Sequence, residues 1–333
     1  MSAVASPSRA GRLAPAIADA IAQEMRADPR VVVWGEDVRI SVMGPTRGLA
    51  AEFADRVWDT PISEAAFVGA AVGAAVGGLR PIVDLMFSSF AYVCFDQLVN
   101  QAGRLRYMSG GRVSVPLVVI GSAGAADSNA AQHSEVPSAL LLNGGGLRVV
   151  FPSTPHQAFW LTRAAIRSDD PVVILHHPAL AGSRGTIGPT AIGLGDAEVG
   201  PPGTDLTILA SGLMASRARA AAGALGSAGI SAEVVDVCSL SPMPWDTILS
   251  SVKKTGRALI VDEARISCSV ASEIAAGIAE HAFSALRAPI TRLAVPDVPI
   301  PFAPNLEDFV VPSQASIVSA ATELVKRGAG DHG

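Results

Sequence analysis

"DTPISEAAFVGAAVGAAVGGLRPIVDL" (residues 59–85) sets two periods side by side. From Ala65 to Leu79 the residues are small and apolar, and glycines at 69, 73 and 77 fall along one face of a helix. About four turns of helix are too short for the ~20 residues that span a bilayer. "RPIVDL" (80–85) then reads as a strand. Helix followed by apolar strand is the unit of a parallel sheet with crossover helices. The glycine face admits a second helix at close range, either within one domain or across a subunit interface.

The same alternation runs outward in both directions. "RVVVWG" (30–35), "VPLVVIG" (115–121), "LRVVFP" (147–152) and "DPVVILH" (170–176) read as further strands, with helices near 12–27, 63–78, 89–106, 136–143 and 155–167. Residues 178–203 hold neither period and are dense in Gly and Pro. A second set follows, with strands at 204–212, 232–237, 257–263 and 288–295 and a last helix near 312–326. The expectation is an α/β protein of two domains with mostly parallel sheets, 1–185 and 204–333, joined by a linker at 186–203.

Composition narrows the function. The 333 residues carry a net charge of −5 with no basic stripe, which disfavours nucleic acid and anionic membrane as partners. Cys94, Cys238 and Cys268 lie far apart with no paired spacing, so neither a disulfide framework nor a zinc knuckle is expected. The N-terminus has no signal-peptide pattern, and a cytoplasmic protein is expected.

Several residues invite chemistry. Glu64 falls in the first turn of the glycine helix, with Ser63 or Thr60 as the cap. Taken alone it is a carboxylate complementing the positive end of a helix; in so apolar a setting it is also suited to sharing a proton with a ring nitrogen. His133 ends the stretch "GSAGAADSNAAQH" (121–133), a flexible loop directly after a strand, where α/β folds place their sites. An exposed loop histidine fits that position equally well. His176 and His177 are adjacent on a strand and point to opposite faces, which works against a shared metal. There is no G-x-G-x-x-G, P-loop or nucleophile elbow. "GLGD" (193–196) is not followed by the asparagine that a thiamine-diphosphate magnesium motif requires.

Taken in order, "WGEDV" (34–38), "DTPISE" (59–64), "GLRPIVDL" (78–85), "FDQLVNQAGRLRYMSGG" (95–111), "AAQHS" (130–134), "GLRVVFPSTP" (146–155), "AAIRSDDPVV" (164–173) and "APITRLAVPDVPIPF" (288–302) resemble the β subunits of thiamine-diphosphate-dependent 2-oxo acid dehydrogenase E1 components. Within that family the chain is similar to the pyruvate and acetoin dehydrogenase E1 β chains, and the likeness covers almost the whole chain.

The resemblance implies a transketolase-like pyrimidine-binding domain followed by a transketolase C-terminal-like domain. It implies an oxidoreductase subunit (EC 1.2.4.-) that is active in an α2β2 heterotetramer with an E1 α subunit. That enzyme would decarboxylate a small 2-oxo acid on thiamine diphosphate and pass the acyl group to the lipoyl domain of an E2 acyltransferase. The α chain would hold Mg²⁺ and the diphosphate. Glu64 would hydrogen-bond N1′ of the aminopyrimidine and favour the imino tautomer that activates C2; Phe90 and Ile62 would lie at the cofactor, and His133 would face substrate and lipoyl group. Backbone carbonyls of Leu117, Ala165, Ser168 and Asp170 match a potassium site.

Departures from the family pattern are Ile120 for an arginine, "HSE" for "HSQ", His176-His177 for E-x-K, and Gln157 to Trp160 for "DAKG". Two rival readings stay open at this point: a split transketolase-like biosynthetic enzyme with another acceptor, and a non-catalytic partner subunit.

Overall fold

A computed structural model describes residues 8–327, which divide into two compact units. The first takes the chain up to Ala123 and Leu140–Leu194; the second takes Gly124–Ala139 and everything from Gly195 on.

In the first unit a parallel sheet runs in the order Arg148–Val150, Val172–His176, Val118–Ser122, Arg80–Phe87, Val31–Gly35, Val57–Asp59. The strands Val31–Gly35, Val118–Ser122 and Val172–His176 are buried along their whole length. That explains why they read as continuous apolar runs rather than alternating ones.

The helix Leu13–Ala27 covers one face of its neighbour Pro155–Arg167. Leu13, Ile17, Ile21 and Met25 recur every fourth residue and are all buried; each such side chain contributes about 1.5–3 kcal/mol relative to exposure. Buried Glu24 joins the two helices, accepting from Arg163 Nε at 2.7 Å and from Arg167 Nε and Nη2 at 2.9 and 2.8 Å.

The glycine helix spans Glu64–Val76, packing Phe67, Val68, Ala71, Val72 and Ala75 inward. Only Gly69 of its glycines packs within the unit, where a Cβ would meet the Gln97 side chain at 3.5 Å. A Cβ on Gly73 would meet nothing within 4 Å among the described residues. Packing inside one domain therefore accounts for Gly69 and not for Gly73.

The segment 89–106 is not one α-helix. It comprises a 3₁₀ turn Ser88–Tyr92, a π-helix Gln97–Gly103 and a short α-helix Arg104–Met108. The widened turn abuts the backbone of Gly144–Gly146: a Cβ on Gly146 would sit 1.9 Å from Gly103 O, and one on Gly144 2.6 Å from Val99 Cγ2. Short pairings with little hydrophobic signature also escape the sequence. These are Val57–Asp59, the antiparallel ribbon of Arg9–Arg12 with Arg184–Ile187, and Glu198–Val199 inside the stretch read as linker.

In the second unit the sheet order is Thr291–Val295, Ala258–Arg265, Leu206–Ala210, Ala232–Asp236, Glu198–Val199, parallel except for the last pair. No described helix is long and apolar enough to cross a membrane.

Candidate active site

Glu64 begins the glycine helix and is buried, 8% exposed. Neither expected side-chain cap forms: Ser63 is the N-cap residue without a side-chain bond, and the Thr60 Oγ1 is buried with no hydrogen-bond partner among the described residues. Thr60 is instead fixed through its backbone, its N–H donating to Gly35 O at 2.9 Å. That bond ties the "TPISE" loop to the C-terminal end of the strand Val31–Gly35.

The residue after that strand is Glu36. Burial, then the charge of Glu64, then that of Asp37, push the Glu36 carboxyl above its ordinary range. Its Oε1 is buried and has no hydrogen-bond partner among the described residues. Cys94 is the third group of the cluster. Burial and the Glu64 charge push its thiol up to about 12, and its Sγ donates to Phe90 O at 3.5 Å. Phe90 itself lies in the Ser88–Tyr92 turn, its ring edge-on to Phe87 with centroids 5.7 Å apart. The Glu64 charge and the Phe90 carbonyl thus act on the same cysteine, while Ile62, 82% exposed, stands at the loop ahead of the helix.

Orphaned oxygens on Thr60 and Glu36 beside a buried Glu64 suit a heteroaromatic ligand that brings its own nitrogen donors and acceptors. These residues therefore fit the aminopyrimidine of thiamine diphosphate. Glu36 and Cys94 were not assigned a role from sequence. The signal for Glu36 was present, an acid immediately past a fully apolar strand.

His133 belongs to the second unit, at the end of the short helix Ala130–His133. The loop carrying it is not loose. Ala125 N–H donates to Glu263 Oε1 at 2.7 Å, the Glu135 carboxylate pairs with Arg265, and Gly124 N–H donates to Glu135 O at 3.3 Å. The glutamate of "HSE" thus has a specific ionic partner that the sequence did not reveal. Asp127, Ser128 and Ala130 all adopt positive φ (58°, 56° and 59°), a conformation that costs a non-glycine residue about 1–2 kcal/mol.

The four carbonyls matched to a potassium site each accept one hydrogen bond already. Leu117 O takes Val172 N–H at 2.9 Å, Ala165 O takes Ser168 N–H at 3.1 Å, Ser168 O takes Arg80 Nη1 at 2.9 Å, and Asp170 O takes the Ser168 hydroxyl at 3.0 Å. A carbonyl has a second lone pair, so these bonds leave room for a cation, with the Arg80 guanidinium as its competitor at Ser168.

Two further departures acquire a setting. Ile120 stands in register opposite Asp84, so an apolar side chain faces that strand position where the family pattern has arginine. Asp84 is fully buried and its carboxyl is pushed up to about 6, with only the Met86 N–H at 2.9 Å opposing burial. His176 is fully buried opposite Ser122, and burial followed by the neighbouring His177 pushes it down to about 4. His177 caps a turn, its Nδ1 accepting from Ala179 N–H at 3.1 Å, and no group of three or more metal-ligating side chains occurs among the described residues.

This arrangement belongs to a two-domain transketolase-like chain. Residues 12–182 match the transketolase pyrimidine-binding domain and residues 195–317 the transketolase C-terminal domain. The chain belongs to the β subunits of the thiamine-diphosphate-dependent acetoin and pyruvate dehydrogenase E1 family. It is 45% identical over 327 residues to the β subunit of the acetoin:2,6-dichlorophenolindophenol oxidoreductase of Cupriavidus necator, covering 94% of this chain and 97% of that one. It is 38% identical to the pyruvate dehydrogenase E1 β subunit of Bacillus subtilis, covering 93% and 97%. A solved split-gene transketolase, described as an inactive β4 tetramer, superposes with a TM-score of 0.79 at 23% identity, covering 96% of this chain and all of the other, a likeness of fold.

Proposed function

We propose that this chain is the β half of an α2β2 enzyme that decarboxylates a small 2-oxo acid on thiamine diphosphate and transfers the acyl group to a lipoyl domain. The observation that carries the reading is buried Glu64 at the head of its helix, flanked by Glu36 and by the Cys94–Phe90 contact. When bound, the cofactor supplies a carbon nucleophile at C2 and an electron sink for the bond to the departing carboxylate. Glu64 holds and moves the proton at N1′, strengthened by an apolar surround that keeps water off that hydrogen bond. Phe90 and Ile62 orient the pyrimidine. His133 gives a proton to the second dithiolane sulfur as the first takes the acyl group.

The diphosphate and Mg²⁺ fall to the α chain in this reading. A potassium ion among the carbonyls of Leu117, Ala165, Ser168 and Asp170 would brace the first unit, and the enzyme would work in the cytoplasm. The test is Glu64→Gln in the assembled enzyme: C2 hydrogen–deuterium exchange should slow by about 10²–10⁴-fold, and an unchanged rate would sink the assignment.

A second substrate reading has its own support. Two relatives, at 45% and 42% identity, are named for acetoin, beside a pyruvate dehydrogenase E1 β subunit at 42%; the first two favour a 2-hydroxyketone cleaved at the same site. Turnover of acetoin against pyruvate with an artificial electron acceptor decides between them.

A further inference from the structure

The strand Ala258–Arg265 is regular up to Val261 and shifts register against Thr291–Val295 before Arg265. Asp262 accepts Ala264 N–H at 3.0 Å and Ala271 N–H at 3.2 Å, at the start of the helix Val270–Ala282. Glu263 and Arg265 grip the two ends of one loop. Glu263 takes the Ala125 N–H at the entry, and Arg265 takes the Glu135 carboxylate at the exit. Gly124 N–H to Glu135 O closes the neck between them. On the helix Pro304–Val310, Glu307 lies near enough to the Ser128 backbone for its carboxyl to feel it.

We infer that Glu263 and Arg265 are positioning residues that hold Gly124–Glu135 as a fixed strap, so that the imidazole of His133 is presented in one place. The sequence of the strap has no reason to be rigid by itself. It is rich in alanine, buries little, and keeps three non-glycine residues in the left-handed region, so it persists only where its surroundings over-determine it. The acids around it are costly to maintain. Burial pushes the Glu307 carboxyl up, partly offset by the nearby Ser128 backbone and reinforced by the charges of Asp308, Asp127 and Glu263. Glu263 is likewise buried beside these acids. Packing the unit would be served as well by apolar residues; gripping backbone N–H groups of a loop needs acceptors.

The inference rests on the assignment of His133 made above, and its test separates the two. In the enzyme assembled with its α subunit, Glu263→Ala should speed hydrogen exchange across 124–135 by about tenfold, the loss expected for a hydrogen bond to a charged group. It should also cut acyl transfer to a lipoyl domain by about 10–100-fold, the cost of a misplaced catalytic group. Glu263→Gln keeps the oxygen acceptor and should restore most of both. In a His133→Ala background, Glu263→Ala should cut transfer no further.

Unchanged exchange overturns the inference whatever His133 does, and so does a loss of transfer that persists undiminished in the His133→Ala background. If His133→Ala alone leaves both half-reactions intact, the role given to His133 fails, and with it the purpose of the strap, while exchange still reports whether Glu263 holds the loop. Should Glu263→Ala fail to assemble, Arg265→Ala, at the half-exposed pair with Glu135, carries the same expectations.

Discussion

The Glu36 carboxyl lies close enough to Glu64 for the Glu64 charge, second only to burial, to raise it. Two acids from different elements, one past the end of a strand and one in the first turn of a helix, lie within electrostatic reach of each other, and neither is fully solvated. In the proposed mechanism, proton transfer at N1′ would take place beside a second carboxyl.

That neighbour carries a stability cost. A carboxyl raised above its unfolded value stabilises the fold below that value and loses this contribution as pH rises through the folded one. Glu36→Gln removes the buried like charge, so the melting temperature should rise at neutral pH and the gain should shrink toward pH 4. Thermal melts of the assembled enzyme across that range check it; an unchanged or lower melting temperature at neutral pH contradicts the pairing.

Asp84 obeys the same sign on a larger scale. With its carboxyl at about 6 against an ordinary 3.8, the fold is favoured below 3.8 and loses about 3 kcal/mol as pH climbs past 6. Asp84→Asn keeps an oxygen for the Met86 N–H. It should raise stability at pH 7 by up to about 3 kcal/mol and abolish the gain on acidification. Chemical denaturation at pH 7 and pH 5 is the measurement.

His176 runs the other way. Neither ring nitrogen has a hydrogen-bond partner among the described residues, and the imidazole stays neutral down to about 4. Its contribution is full above 6.5 and falls by about 3 kcal/mol as pH drops toward 4, since the unfolded chain takes up the proton first. His176→Leu, similar in volume and without polar atoms, should be at least as stable as the parent at pH 7 and less sensitive to acid. A marked loss at pH 7 would show that the ring has a polar partner of its own.

Gly146→Ala tests the close approach that accompanies the π-helix. Its Cβ would lie 1.9 Å from Gly103 O, and its φ of +75° disfavours any side chain. A loss of about 3 kcal/mol or more is expected, visible as a lower denaturation midpoint or failure to fold. Gly110→Ala, whose Cβ would meet nothing within 4 Å, is the control for positive φ alone.

Cofactor binding tests the division of labour between chains. Calorimetry on the isolated chain should detect no micromolar binding of thiamine diphosphate, with affinity appearing when the α subunit is added. Tight binding by this chain alone would overturn the split site.

What the sequence made legible was whatever left an uninterrupted pattern. Strands such as Val172–His176 are apolar throughout, and helix Leu13–Ala27 repeats its core residues every fourth position, so both could be read locally. The π-helix could not, and the backbone it packs against, Gly144–Gly146, lies far along the chain. Glu64 was legible through its motif, yet Glu36 and Cys94 became part of its surroundings only when strand and turn were brought together. The tether of the His133 loop was hidden for the same reason: Glu263 and Arg265 sit more than a hundred residues away, and an acid at a strand end looks like any other.

The second unit is assembled from two separate stretches of chain, Gly124–Ala139 and the run from Gly195 onward. A gene divided between the two matched domains would leave the His133 segment on one product and Glu263, Arg265 and Glu307 on the other. Neither half would be a self-sufficient module. Shuffling this C-terminal domain onto a foreign pyrimidine domain therefore means matching a sixteen-residue insert from the donor's other half, so the two domains are expected to be inherited and exchanged as one piece.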